Sequence, residues 1–462
     1  MPTVFSSEMT RADREIIGDI WTSESAYENL VTLCDDFGSR FGGTEGERQA
    51  AEFMVRKLRE YGLDNACLEA FPYNGWIRGS ARLEAVQPHA ASFDCIALPY
   101  CGTAEVEGDL VFLGHGAPED YEEKRHQIQG NIVMVSTQSP QFARRQMHRM
   151  EKYGRALEAG ATAFIWMREE PGLLAETGSI KFNAEAEIPG VGVSREVGAA
   201  LQRMMKKDTV RLRMTTCHVN KPMTSWNVVG ELRGHTYPDR FLVIGAHFDG
   251  HDISQGALDD GAGAVVAMEA ARALAKHKHL LPKSIRFVLF PLEEIGLIGS
   301  HAYVDAHMAE LKDCEFMLNL DGAGRHGDTA LVLQGWSELK GVFRDLSKDM
   351  KHPITVGNRI SPYSDMYPFV LEGVPAANMM SLGGEPRTGR GWGHTAADTL
   401  DKVSPRALQM DALTVARLAL RLTNLEVSWP APHKTRQEIK ELLDREELLE
   451  VLKYERRYPF DQ

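Results

Sequence analysis

Phe241-Leu-Val-Ile-Gly245-Ala-His247-Phe-Asp249 is the stretch that decides the fold. Its apolar residues read as a buried strand, glycine breaks the run, and a histidine and an aspartate follow at once. A strand ending this way projects polar side chains from the sheet edge into a cleft. The same pattern recurs downstream. Ser284-Ile-Arg-Phe-Val-Leu-Phe290 leads to Leu-Glu293-Glu294-Ile-Gly, and Glu315-Phe-Met-Leu-Asn-Leu to Asp321-Gly-Ala-Gly. Trp226-Asn-Val-Val-Gly-Glu-Leu supplies a further strand upstream, and a helical run from Ala262 to His277 separates the first two. Short apolar strands alternating with helices predict an α/β domain whose sheet is mixed, mostly parallel and flanked by helices. In such sheets ligands gather beyond the carboxyl ends of the strands. His247, Glu293, Glu294 and Asp321 share that edge.

Two further pieces join them, Gly256-Ala-Leu-Asp259-Asp260-Gly-Ala-Gly263 and Gly-His394-Thr-Ala-Ala-Asp398-Thr. Two histidines and several carboxylates from distant segments form the mixed nitrogen and oxygen set that suits zinc and similar ions. A pair of such ions about 3.5–4 Å apart can share one carboxylate. Asp259 suits that bridge, because Gly261-Ala-Gly263 lets the backbone pack closely as a helix begins. His247 and Asp321 would then serve one ion, and Glu294 and His394 the other. Asp249 is placed to orient the His247 ring, and Asp398 to act similarly near His394. Glu293 is left over, and a carboxylate that holds no metal can act as the base. The set points to a hydrolase. His251, His301 and His307 read as ordinary polar residues, and Asp260 as a carboxylate at a helix N-terminus.

Composition narrows the partners. The 462 residues are 43% hydrophobic and 25% charged, an ordinary globular balance. A net charge of −13 disfavours nucleic acid and anionic membranes, and no apolar stretch approaches the roughly 20 residues of a membrane span. Six scattered cysteines without a Cys-x-x-Cys pair, and an N-terminus without a basic region leading into an apolar core, lead to the expectation of a cytoplasmic protein.

Four regions are expected. Residues 1–95 begin the catalytic domain, with Thr44 capping a helix and Glu47 reaching back, and with Ala81, Leu83 and Ala85 alternating along a strand. Residues 96–222 change texture and read as an inserted, chemically bland domain. Residues 223–428 carry the catalytic pieces. Residues 429–462 hold a stiff Trp429-Pro-Ala-Pro432 linker and one amphipathic helix, which either docks on its own domain or contacts another subunit.

The motifs resemble the di-zinc exopeptidase family of leucyl-type aminopeptidases, plasma glutamate carboxypeptidase and glutamate carboxypeptidase II, from about Tyr27 to Val427. The resemblance implies the same roles: His247, Asp259, Glu294, Asp321 and His394 as ligands of two Zn2+ (or Co2+ or Mn2+), Glu293 as base and Asp249 as orienting residue. Ser364-Asp365-Met-Tyr-Pro-Phe is a further family-like segment, with Met366 where a histidine is common. The inserted region, through Gly154-Arg-Ala-Leu-Glu-Ala-Gly-Ala-Thr-Ala-Phe-Ile and Ile188-Pro-Gly-Val-Gly-Val, resembles a β-rich protease-associated domain. The expected activity is hydrolysis of short peptides, as an aminopeptidase ahead of a dipeptidase or carboxypeptidase. Arg387 and Arg390 are candidates to clamp a substrate carboxylate, and Tyr363 to donate to an oxyanion. A homodimer is expected from relatives. A glutaminyl-cyclase-like transferase with one metal, a non-catalytic binding module and a deacylase of the related di-zinc carboxypeptidase group are the competing readings.

Overall fold

A computed structural model describes residues 7–382, 391–425 and 429–460. Its core is a mixed sheet. Four parallel strands lie side by side in the order Ala376–Leu382, Cys314–Asn319, Tyr237–His247 and Lys283–Phe290. Antiparallel neighbours flank them. Asp328–Leu333 pairs with the first, and Arg211–Leu232 with the last. The central strands are buried almost throughout, as their continuous apolar runs require when helices cover both faces.

The helix Ala262–Ala275 shows why the segment beginning at Asp259 can approach the sheet. It is buried nearly all round and packs against the long helix Pro405–Thr423. A Cβ added at Gly263 would lie 2.2 Å from Asp260 Oδ2 and 2.6 Å from the Leu320 carbonyl oxygen. Only glycine permits that approach. Thr44 caps the helix Glu45–Glu60, its Oγ1 accepting from Glu47 N at 3.2 Å. Glu47 reaches back one residue further than the motif requires, to Gly43 N at 2.6 Å.

The insertion does not begin or end at a break in the chain. Asp64–Gln87 and Arg211–Leu232 are long antiparallel partners that run from the catalytic sheet into the inserted one. Ala104–Phe112 adds to the far end of the second, followed by the parallel strands Ile132–Ser136, Ala163–Met167 and Gly190–Val193. Residues 211–216 of the second strand pair with the inserted sheet and residues 228–232 with the catalytic one, so the expected limit at 222/223 falls where that strand changes sheets, whereas the limit at 95/96 lies beyond the matching point of the first, near Asn74. Helices Arg149–Glu158 and Arg195–Met205 alternate with the inserted strands.

The C-terminal segment forms two helices rather than the expected one. Arg436–Arg445 and Leu448–Tyr454 are separated at Glu447, whose φ is 58°. Both halves bury leucines, and the second rests on the inserted helix Arg149–Glu158. Among the described residues, no helix is long and apolar enough to cross a membrane.

Candidate active site

The carboxyl edge of the parallel strands gathers six potential metal ligands into two groups. His247, Asp259 and Asp321 form one, and His251, Glu294 and His394 the other; within each, the ligand atoms lie within 4.8 Å of one another. Asp259 faces both. Its Oδ1 is 3.6 Å from His247 Nε2, and its Oδ2 is 3.5 Å from His394 Nε2. All six are buried or nearly so. Carboxylates and imidazoles converging in a buried site cost free energy unless paired or bound to cations. The donor set therefore fits one or two divalent ions of the zinc class.

Each ligand is held by the segment that carries it. His247 ends its strand, and its Nδ1 lies 3.0 Å from the Asp249 carbonyl oxygen, leaving Nε2 for the cluster. The Asp249 carboxylate lies beside that ring, as expected, and also holds backbone. Its Oδ1 lies 3.4 Å from His247 Nδ1, and its Oδ1 and Oδ2 accept from the backbone N–H groups of Glu293 and Glu294 at 3.1 and 3.3 Å. It thereby fixes the turn that carries the base candidate and one ligand. Asp398 likewise binds backbone rather than His394, accepting from Leu258 N and Asp259 N at 2.7 and 3.1 Å. His394 takes its orientation from the insertion: its Nδ1 lies 3.1 Å from the Thr177 carbonyl oxygen. Asp321 accepts from Ser364 Oγ at 2.6 Å, and Ser364 accepts in turn from Asn319 Nδ2. Met366, buried beside them, offers its sulfur to the same Asn319 amide at 3.7 Å. Asp260 caps the following helix as expected, with Oδ1 accepting from Gly263 N. The peptide joining Asp259 to Asp260 is cis.

Electrostatics separates the adjacent glutamates. Burial opposes ionisation of Glu294, but the imidazoles of His251 and His394 outweigh it and hold its carboxyl well below the usual range. Burial pushes the Glu293 carboxyl well above that range. His247 pulls against this, while Asp321, Glu294 and Asp365 add to it. One carboxylate is thus suited to bind cations and its neighbour to accept a proton.

The cavity above the ligands is lined partly by the insertion. His148, Arg149 and Phe182 border it together with Glu293 and Tyr363. The inserted domain is therefore not chemically bland. Tyr363 stacks on His148 with ring centroids 4.1 Å apart, and its hydroxyl donates to Glu455 Oε1 at 2.8 Å. That proton is already committed, so donation to an oxyanion would require breaking the bond. Arg387 and Arg390 lie outside the described residues. The neighbouring cleft, of about 410 Å3, is bordered by Asp259, Asp321, Arg325 and Arg359. Sequence reading missed Arg325, whose Nη2 lies 3.6 Å from Asp259 Oδ1. It also missed Arg40, a fully buried guanidinium that donates to the carbonyls of Gly38, Phe248 and Gly256 and fastens the loop between His247 and Asp259. Its spacing gave no signal. His251 was legible only as a second histidine four residues after His247.

Residues 227–419 match peptidase family M28, and residues 106–201 match the PA domain. The chain carries a peptidase family M28 domain. The chain is 28% identical over 438 residues to aminopeptidase YwaD of Bacillus subtilis (strain 168), covering 90% of this chain and 88% of that protein. It is 25% identical over 420 residues to carboxypeptidase Q of Mus musculus, covering 88% and 87% respectively. Its fold is similar to that of a peptidase M28 precursor from Shewanella amazonensis SB2B, with a TM-score of 0.78 at 23% identity, over 93% of this chain and 99% of that one.

Proposed function

We propose that this M28 metallopeptidase is a two-zinc exopeptidase that removes residues from short peptides, acting first as an aminopeptidase. The observation that carries the reading is Asp259, which presents one carboxylate oxygen to each of two buried ligand groups. His247 and Asp321 would hold one zinc ion, Glu294 and His394 the other, with Asp259 shared. Zinc there supplies Lewis-acid chemistry, making water nucleophilic at neutral pH and polarising the scissile carbonyl. Glu293 accepts the proton of the attacking water and delivers it to the leaving amine. Asp249 keeps Glu293 in place through the backbone N–H it holds. The insertion contributes by anchoring His394 and closing the cavity with His148 and Phe182. A one-metal cyclase would leave one buried ligand group without a cation, which disfavours that alternative.

Arg325 supports a second reading, a dipeptidase or carboxypeptidase. It borders the cleft beside the shared aspartate, and a guanidinium there can pair with a substrate's terminal carboxylate. The similarity to both an aminopeptidase and carboxypeptidase Q is consistent with either.

The test is hydrolysis of aminoacyl anilides, N-blocked peptides and free dipeptides by wild type and Glu293→Gln. The proposal expects cleavage of unblocked substrates, and a kcat at least about 100-fold lower in the variant with its zinc content unchanged. Cleavage of N-blocked peptides alone would move the assignment to a carboxypeptidase. A variant as active as wild type would remove Glu293 as the base.

A further inference from the structure

Within this two-metal reading, His251 stands apart from the ordinary polar residue that its sequence position suggests. It sits two residues beyond Asp249 and is only 2% exposed. Its Nδ1 has no hydrogen-bond partner among the described residues, and its Nε2 meets the Glu294 carboxylate. Its ring meets His394 edge to face with centroids 4.4 Å apart, and Phe41 lies 6.2 Å away on another side. A buried imidazole set against a buried carboxylate costs free energy, so native proteins rarely keep one without a role.

What the ring does face is a ligand group. His251 Nε2 lies 3.0 Å from Glu294 Oε2, and His394 Nε2 lies 3.0 Å from the same oxygen. Asp259 Oδ2 is 3.5 Å from His394 Nε2. Ligand atoms at the corners of a tetrahedron around zinc, each about 2.0–2.1 Å from the ion, are separated by about 3.3 Å. The three observed spacings, 3.0, 3.0 and 3.5 Å, bracket that value.

We propose that His251 is a direct zinc ligand through Nε2. The ion held by Glu294 and His394 then has two imidazoles, one carboxylate and a share of Asp259. Four protein ligands close a tetrahedral zinc site, whereas the group of His247, Asp321 and Asp259 leaves a position open. The two ions are therefore unequal. The first would be tightly held and serve structure and charge, and the open position at the second would be left for water or substrate.

Zinc X-ray absorption on the fully loaded protein, with chelator competition on wild type and His251→Ala, tests this directly. With His251 bound, three histidines serve two ions, about 1.5 imidazole nitrogens per zinc, falling to about 1.0 in the variant. The tighter of the two zinc affinities should weaken by about 100-fold or more, with the other little changed. If His251→Ala is unstable, the wild-type imidazole count alone decides. A count of about 1.0 in wild type, or two zinc affinities unaltered in the variant, would overturn the assignment while leaving two zinc ions per chain intact. Wild type that binds fewer than two zinc ions would instead contradict the two-metal reading beneath it.

Discussion

Asp249 illustrates how residue type and residue role part company. Its spacing from His247 marked it as a partner of that ring, and its carboxylate does lie 3.4 Å from the ring nitrogen, but it also accepts from two backbone N–H groups that the spacing did not reveal. Removing it should therefore disturb Glu293 and Glu294 together. Asp249→Ala is expected to lower kcat and weaken one zinc ion, each by about 10–100-fold, with the secondary structure retained; a loss of kcat with both zinc affinities unchanged would argue against the shared-turn role. Arg325 carries the question of which peptide end is read. If it pairs with a free carboxylate, Arg325→Met should raise KM for dipeptides at least about 10-fold and leave aminoacyl anilides nearly unaffected, since losing a charge-assisted hydrogen bond costs about 1.5–3 kcal/mol. Equal effects on both substrates would make it a support for Asp259 instead. Most metal-facing residues were legible because strand ends and glycine breaks announce them. Arg40 and Arg325 were not, because nothing local distinguishes a buried guanidinium from a surface one. His251 failed for a related reason: a lone histidine in a loop has no periodic signature, and only the fold brings it to Glu294.

At the scale of elements, hydrophobic patterning carried far. The strands before His247, Glu293 and Asp321 and the helix behind Asp259 follow from apolar runs and small residues, and they place the site at one sheet edge. Patterning was weaker where long strands change sheets, since Asp64–Gln87 and Arg211–Leu232 continue through both domains without a compositional break. It also missed the split in the tail, where Glu447 adopts a left-handed conformation that its residue type does not advertise. The inserted helix Arg149–Glu158 offers a test of its own. Lys152 is fully buried, its Nζ donating to the carbonyls of Ser136 and Gln138 at 2.9 and 2.6 Å. Burial lowers its pKa to about 7, against the pull of Glu151, Glu176 and Glu169. The folded value lies below the unfolded one, so the folded state releases this proton first. Stability from this group is fully present above about pH 10.5 and is lost as pH falls towards about 7. Denaturation of wild type and Lys152→Met across pH 7 to 10 should show wild type gaining stability relative to the variant as pH rises. Parallel curves would mean that the lysine titrates alike in both states.

On the scale of the whole molecule, three remote parts meet at one cleft. The catalytic sheet supplies the ligand groups, the insertion anchors His394 through Thr177, and the tail presents Glu455 to Tyr363 beside His148. A chain ending before Arg436 should lose Tyr363's partner together with the apolar contacts of both tail helices. It is expected to melt lower and turn over more slowly, with zinc still bound. Thermal denaturation and zinc content check this, and an unchanged melting point would show the tail to be dispensable. The account as a whole stands on Asp259 joining two ions, and stepwise return of zinc to the metal-free full chain tests that most directly. Peptidase activity should lag behind the first equivalent of zinc and be complete at two. Full activity at a single equivalent would contradict it.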